Sequence, residues 1–421
     1  MASPNKLVDH LPRDFRKVAL GAILVRMAMY WCLPGLVEVL QQRIEWVTPL
    51  TSYKRLTEGL FLYRSGIDPY DGNQYFQPAL YLPLFQTLAW FPTVVTFAFF
   101  VLLDVLVAWQ LYQLALTKFG RRDSSSFAED QNLKVTPAAV AACYLWNPLT
   151  ILSTLSQATS LVNTLAVVCA LRHGLQGQRS YAMVWLAVAT YISFYPVMLL
   201  VPLVFMSSGN QPLQLGNLVP CLKVFALTMV TLLSASYLLT LSPQLLSSTY
   251  GVIFTVTDLT PNLGVFWYFF IEMFDHFRAF FLIAFQLHTF IFAVPISIRF
   301  RHQPLFASIL LLGIITLFKS YPSVSDMVLY LALLPLYHEI FKYMRYSFLL
   351  VNAMIYALVL APLFWHLWIY QGSGNANFFY AATLVYAAFQ IFLIIDLTQS
   401  QLRRDLERDC PAVRSKILMQ E

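Results

Sequence analysis

Ionisable and amide side chains set among apolar residues mark where this chain can do chemistry, because each such group in hydrocarbon needs a partner, a cavity or a ligand. Glu45, Glu58 and Asp68 stand in a polar stretch over 41–77, with Arg43 beside the first of them. Carboxylates gathered there would suit general-base work or, if paired, a divalent cation. Asp258, Pro261 and Asn262 break an apolar pattern where Thr and Gly also cluster. Non-helical backbone at membrane depth is tolerated only when it is buried in protein or lines a cavity. Glu272, Asp275 and His276 follow three or four residues apart, a spacing that predicts one shared helix face. Lys319 has Asp326 within reach as an ion-pair partner and is equally placed to meet a phosphate or to snorkel from a span end. The link 371–377, Gln-Gly-Ser-Gly-Asn-Ala-Asn, offers Asn375 and Asn377, neutral amides that carry both donors and an acceptor. They suit hydroxyls and phosphate without the desolvation cost of a buried charge, and they suit a turn closed by an Asn helix cap equally well.

Composition dictates the elements that must hold these groups. The 421 residues are 58% hydrophobic, 16% aromatic and 11% charged, with a mean hydropathy of +0.63. A soluble domain is about one quarter charged, so this chain cannot cover itself with a water-facing surface. Long apolar runs such as 280–298 lack the alternation of barrel strands. Helices remain, and the fold class is all-α, a polytopic membrane helix bundle. A span needs roughly 20 apolar residues to cross ~30 Å of hydrocarbon. Apolar stretches lie at 18–40, 78–116, 137–155, 156–171, 181–206 and 221–246, then at 265–298, 304–318, 327–341, 347–370 and 377–396. They predict about 9 to 12 spans once short or re-entrant helices are included. Residues 18–396 thus form one membrane domain between a polar tail, 1–17, and a charged tail, 397–421. Spacing between Thr51 and Tyr63 predicts an amphipathic helix lying on the bilayer surface.

The net charge of +6 comes from Lys and Arg scattered over short loops, which speaks against nucleic-acid binding. Basic loops mark the cytosolic side. Lys6, Arg13, Arg16 and Lys17 put the N-terminus there; Lys118, Arg121 and Arg122 do so for the 117–136 loop. Arg299 with Arg301, Lys342 with Arg345, and Arg403 with Arg404 mark three further cytosolic ends. Both termini are expected in the cytosol, with 41–77, 319–326 and 370–377 on the other side. Between 137 and 298 the parity does not close if every run is a full span, so 156–171 is expected to be short or re-entrant. Arg299 and Arg301 are also placed to meet anionic phospholipid headgroups. The five cysteines show no disulfide or zinc spacing, and neither a metal nor a cofactor is expected. No internal repeat favours a transporter.

Five segments carry a resemblance. The first loop, with its Leu-Thr-Glu-Gly and Gly-Ile-Asp-Pro-Tyr, is similar to that of lipid-linked mannosyltransferases, glycosyltransferase-C-like membrane enzymes that use an Asp-x-Asp pair. Aligning the shared Thr-Glu-Gly puts Arg43 and Glu45 where those enzymes have two aspartates, so the paired base is lost. YLWNPLTIL (Tyr144–Leu152), DLTPNLGVFWYFFIEMFDHF (Asp258–Phe277), FKSYPSVSD (Phe318–Asp326) and LFWHLWIYQGSGNANFFY (Leu363–Tyr380) sharpen the match. With the first loop they closely resemble the PIG-U family, membrane subunits of the glycosylphosphatidylinositol (GPI) transamidase complex, over about residues 18 to 400.

The resemblance implies a complex in the endoplasmic reticulum membrane that cuts a C-terminal signal from precursor proteins and joins the new end to GPI. It implies a non-catalytic subunit that recognises the GPI lipid and presents it. The implied partners are the PIG-K catalytic subunit, PIG-S, PIG-T and a GAA-type subunit, together with the lipid and membrane phospholipids. The family's GPI-contacting pair maps onto Asn375 and Asn377. Asp258, Asn262, Glu272, Asp275, His276 and Lys319 are then expected to wall a polar cavity for a glycan, or else to form an internally satisfied cluster or a partner contact. The alternative function, from the enzyme class, is an active lipid-linked mannosyltransferase with Glu45, Glu58 or Asp68 as catalytic groups.

Overall fold

The structure, a computed structural model, describes residues 12–120, 135–208 and 215–413. Lys6, Arg121, Arg122, most of the 117–136 loop and the last residues of the tail lie outside the described residues.

Helix α1 (Arg13–Cys32) and α2 (Pro34–Leu40) meet at 96°, so the first apolar stretch is not one straight span to Leu40. Proline disfavours helix at the residue before it and lacks an N–H, which ends α1 at Leu33 and lets Pro34 open a new helix. Ser52 caps α3 (Tyr53–Arg64) by accepting from the Arg55 backbone N–H. The expected amphipathic stripe is present, but Leu56 and Leu60 bury it in protein, against Tyr70, Tyr75, Leu82 and Phe85. The Tyr75 ring lies so close that a Cβ on Gly59 would meet it at 2.6 Å. This helix is therefore packed into the fold along its apolar stripe, while Phe61 on another face stays exposed.

Helices α4 (Tyr81–Leu88) and α5 (Thr93–Gly120) flank the break at Phe91-Pro92. Next come α6 (Pro137–Leu145) and α7 (Pro148–Leu155), bent by 52° where Asn147 caps the second helix and Pro148 begins it. Helix α8 (Ser160–Leu175) is a short apolar helix, the place where parity required one. Helix α9 (Arg179–Ile192), a tight turn at Tyr195–Leu199 and α10 (Leu200–Ser208) follow. Then come α11 (Leu215–Thr240), a wide helical turn at Ser247–Gly251 and the single turn α12 (Val252–Thr255). A non-helical stretch over 256–265 leads into α13 (Phe266–Glu272), α14 (Asp275–Ile291) and α15 (Ala293–Arg299). Helices α16 (Pro304–Phe318), α17 (Val324–Leu333), α18 (Ser347–Trp365) and α19 (Ala376–Asp409) complete the bundle.

Among the described residues six helices are long and apolar enough to cross a membrane, or up to eight if each bent pair is one span, with three shorter apolar helices besides. The bundle is polytopic and helical, as composition required. Val324–Tyr343 is 67% buried inside it, whereas Leu218–Thr240 is only 6% buried and presents its apolar surface outward. Residues 397–409 continue α19 without a break. There Asp405 accepts from Gln303, Glu407 accepts from Tyr343, and Arg404 faces Glu339, which ties one end of the bundle together.

Candidate functional site

The polar interruptions over 43–78, 258–276, 318–326 and 371–377 converge at the opposite end. The Val324 N–H donates to the Glu45 carbonyl at 3.0 Å, pinning the third segment to the first. Arg55 on α3 forms an ion pair with Asp258 at 2.7 Å across 203 residues of sequence. The Tyr321 hydroxyl donates to the Asp258 carbonyl at 2.8 Å. Gly264 packs on the Pro322 ring so tightly that a Cβ there would meet it at 2.7 Å. The Tyr380 hydroxyl donates to the Val265 carbonyl at 3.2 Å, and the Tyr268 hydroxyl donates to Asn377 Oδ1. The segment 258–268 thereby touches the other three.

Arg55 also lies over the Phe76 ring, 5.4 Å from its centroid. Partial burial alone would raise the Asp258 pKa, but hydrogen bonds from the Thr260 hydroxyl and N–H and from Arg55 outweigh it and hold the carboxyl below its usual range. Asp258 is therefore an anion at neutral pH. Cavities open on both sides of this bridge and share Thr260. The larger, about 800 Å³, is lined by Asn73, Phe76, Gln244, Ser248, Thr257 and Asp258 among others. The smaller, about 340 Å³, includes Gln41, Gln42, Lys54, Arg55, Glu58 and Gln74.

Asn375 is the N-cap of α19: its Oδ1 accepts from the backbone N–H groups of Asn377 and Phe378. The cap anticipated from the sequence is thus present, and the Asn375 amide nitrogen is left pointing out of it. Both asparagines are exposed, and Asn377 is in contact with Tyr268. Tyr268 and Tyr380 line a pocket of about 320 Å³ with Phe269, Glu272, Phe277 and Phe281. Trp267, Trp368 and Phe379 pack behind it.

The other predicted residues separate. Glu272, Asp275 and His276 do not share a helix face, because Met273 and Phe274 adopt extended backbone (ψ 140° and 135°) and divide α13 from α14. All three are exposed, and none of them lines the cavities at Asp258. The spacing argument failed there because it assumed one continuous helix. Glu272 instead borders the aromatic pocket beside Asn377. Asn262 is buried and spends its amide locally, donating to the Thr260 carbonyl and accepting from the Gly264 N–H. Lys319 pairs with Asp326 at 2.6 Å, and Asp326 completes the capping box that starts α17. Arg299 and Arg301 are exposed at the far end of α15. Arg43 clamps both carboxylate oxygens of Glu45, at 2.6 and 3.0 Å, so that acid is occupied. Asp68 accepts from the Ser242 hydroxyl and the Tyr70 N–H.

Two polar clusters were not foreseen. Arg26, Asp104, Tyr144 and Thr154 form a buried network in the bundle core. Tyr195, Gln286 and Ser320 form a second, behind the Tyr321 loop. Asp104, a lone carboxylate within an apolar helix, was the available signal for the first: a buried acid requires a cation, and Arg26 is one of the few basic residues inside an apolar stretch.

Comparison with known proteins shows the family. Residues 20–386 match the family described as GPI transamidase subunit PIG-U. The GPI-anchor transamidase component PIGU of Homo sapiens is 34% identical over 413 residues, covering 92% of this chain and 93% of that protein. The GPI transamidase component GAB1 of Saccharomyces cerevisiae is 35% identical over 405 residues, with 95% and 98% covered. The GAB1 homolog of Schizosaccharomyces pombe is 32% identical over 399 residues, with 94% and 96% covered. Matched over nearly its whole length and at the segments that build the convergent end, the chain belongs to the PIG-U family of GPI transamidase subunits.

Proposed function

We propose that this chain is the non-catalytic, GPI-recognising subunit of the transamidase, and that it holds the lipid at Asn375 and Asn377 for attachment to a cleaved precursor. The contact between Tyr268 and Asn377 carries the reading, since it joins a polar turn to an aromatic pocket in one place. An amphiphile with a sugar-phosphate head and acyl chains needs that pairing: amides for the head, aromatic surface for the chains. In this reading the convergent end faces the lumen of the endoplasmic reticulum and both termini lie in the cytosol. Arg299 and Arg301 then meet anionic phospholipid, each contributing about 1 kcal/mol near the surface. The partners are the PIG-K catalytic subunit, PIG-S, PIG-T and a GAA-type subunit.

Sugar transfer by this chain is disfavoured by the Arg43–Glu45 clamp, which leaves no free carboxylate pair at that position. Peptide cleavage needs a nucleophile with an adjacent base. Replacing Cys32, Cys143, Cys169, Cys221 and Cys410 by Ala or Ser is expected to leave GPI attachment intact in cells that lack the endogenous subunit. Loss traced to one thiol would overturn the non-catalytic reading. For lipid recognition, Asn375→Ala with Asn377→Ala is expected to lower surface GPI-anchored proteins while the subunit still assembles. Normal surface levels with an assembled subunit would sink the site.

A further inference from the structure

We propose that the outward face of the span Asp275–Arg299 is an interface for a transmembrane helix of another subunit of the complex, one that brings a hydroxyl or amide donor to His288 at mid-membrane. The proposal uses the chain's place in the transamidase and does not rest on the lipid reading of Asn375 and Asn377. This span, made of α14 and α15, is only 11% buried inside the chain. Phe280, Ala284, Leu287, Ile291, Val294 and Ile298 recur at alternating steps of four and three residues, and all are exposed. That spacing makes one continuous seam, the kind along which paired helices pack at a shallow crossing angle. Apolar surface alone would suit lipid tails equally well, because hydrocarbon gives no hydrophobic drive between helices.

His288 breaks that equivalence. It is exposed and stands one turn from both Ala284 and Ile291 on the same face. At 1.5 Å per residue it lies about 20 Å from Asp275 and about 17 Å from Arg299. The hydrocarbon is ~30 Å thick, so the ring sits near its middle, too deep for a short side chain to snorkel to either surface. The imidazole packs edge-on against Phe318 and Phe292, with ring centroids 4.7 and 5.2 Å away. It makes no hydrogen bond or ion pair among the described residues. Even with an N–H turned onto one of those rings, the second nitrogen of a neutral imidazole keeps a lone pair that no donor meets. Asp104 and Asp396, likewise central to long apolar helices, are buried and bonded within the chain. His288 must take its donor from outside.

The chemistry of the site selects the occupant. Lipid tails carry no donor, and an unpaired polar group in hydrocarbon is costly. A second helix can carry a hydroxyl or amide to that depth, because its own backbone groups are satisfied within it. A second copy of this chain fits poorly. Two chains of one topology pair about an axis along the membrane normal, which sets each residue opposite itself. The exposed Asp275 would then face Asp275 at one end of the seam, and Arg299 would face Arg299 at the other.

The test uses the full chain in its assembled complex, in nanodiscs, with p-benzoylphenylalanine in place of Leu287 or, for comparison, of Leu227 on the outward face of α11. Irradiation at Leu287 is expected to crosslink a transmembrane segment of another subunit, mapped by mass spectrometry. His288→Leu should weaken that crosslink about fivefold, the worth of one interhelical hydrogen bond, and leave the Leu227 products unchanged. His288→Gln, which still donates and accepts, should keep it. Assembly that is lost in His288→Leu and kept in His288→Gln supports the assignment equally; if neither variant assembles, the Leu287 crosslink in the otherwise unchanged chain decides. Crosslinks to lipid only, or to a second copy of this chain, overturn the interface. Equal yields in His288→Leu, or equal loss in His288→Gln, overturn the role given to His288. Asn375→Ala with Asn377→Ala should leave the crosslink in place, so the lipid-recognition reading can fail separately.

Discussion

Arg26 and Asp104, 78 residues apart, form an ion pair of 2.9 Å with side chains only 1% and 0% exposed. Tyr144 donates to the second carboxylate oxygen at 2.9 Å, and Thr154 joins both partners. The network ties α1, α5, α6 and α7 together at the centre of the bundle. Breaking such a pair by removing one partner leaves an uncompensated buried charge, which costs about 3 to 5 kcal/mol. Asp104→Ala is therefore expected to lower the thermal midpoint sharply in detergent. Arg26→Met combined with Asp104→Leu should be milder than Asp104→Ala alone, because both charges leave together. A double variant as damaging as the single one would show that the pair itself, and not the stranded charge, matters.

Asp258 gives a pH signature. Its carboxyl titrates below the ordinary aspartate range because hydrogen bonds from Thr260 and the charge of Arg55 outweigh its partial burial. A folded-state pKa depressed in this way contributes stability above the unfolded pKa and loses it as pH falls through the folded one. The stability difference between the natural chain and Asp258→Asn should be constant from pH 7 down to about 5 and shrink below about 4. Unfolding midpoints measured across that range check the sign. A difference that grows on acidification contradicts it.

Gly264 tests the junction of two interruptions. A Cβ at this position would meet Pro322 Cδ at 2.7 Å and Asn262 Oδ1 at 2.8 Å. Neither atom belongs to the far end of a flexible chain. Gly264→Ala should force the segments apart at a cost of about 1 to 3 kcal/mol. Gly35→Ala, where nothing lies within 4 Å, is the matched control and should be close to neutral. Equal stability of the two variants would mean that the 258–264 and 318–323 segments are not packed as described.

Asn375 has a structural duty that can be separated from any ligand contact. Its side chain caps α19, and Ser serves as an N-cap as well as Asn does, whereas Ala costs about 1 kcal/mol. Asn375→Ser should keep the natural unfolding midpoint and still lower surface GPI-anchored proteins, because a hydroxyl cannot reproduce the amide. Asn375→Ala should lower both. Full attachment activity in Asn375→Ser would reduce this residue to a cap.

Much of this molecule is legible residue by residue. The apolar runs, the break at Phe91-Pro92 and the Asn375 cap follow from preferences that each residue carries locally, and the short α8 from the count of spans between cytosolic ends. Partition into lipid depends on a side chain's own surface, so hydropathy finds spans without knowing their neighbours. The same local reasoning located the four polar interruptions, and the family resemblance singled out Asn375 and Asn377. It failed where a few residues redirect the backbone: Pro34 turned the first span, and extended geometry at Met273 and Phe274 split Glu272 from Asp275 and His276. Pairing was decided by the tertiary structure alone. Arg26 finds Asp104, Arg55 finds Asp258, and Tyr268 finds Asn377 through the rotation and depth of helices packed against one another. Sequence spacing within one segment holds no information about that rotation. The sequence therefore determined which segments interrupt the apolar pattern, and packing decided that they meet at one end and form a cleft.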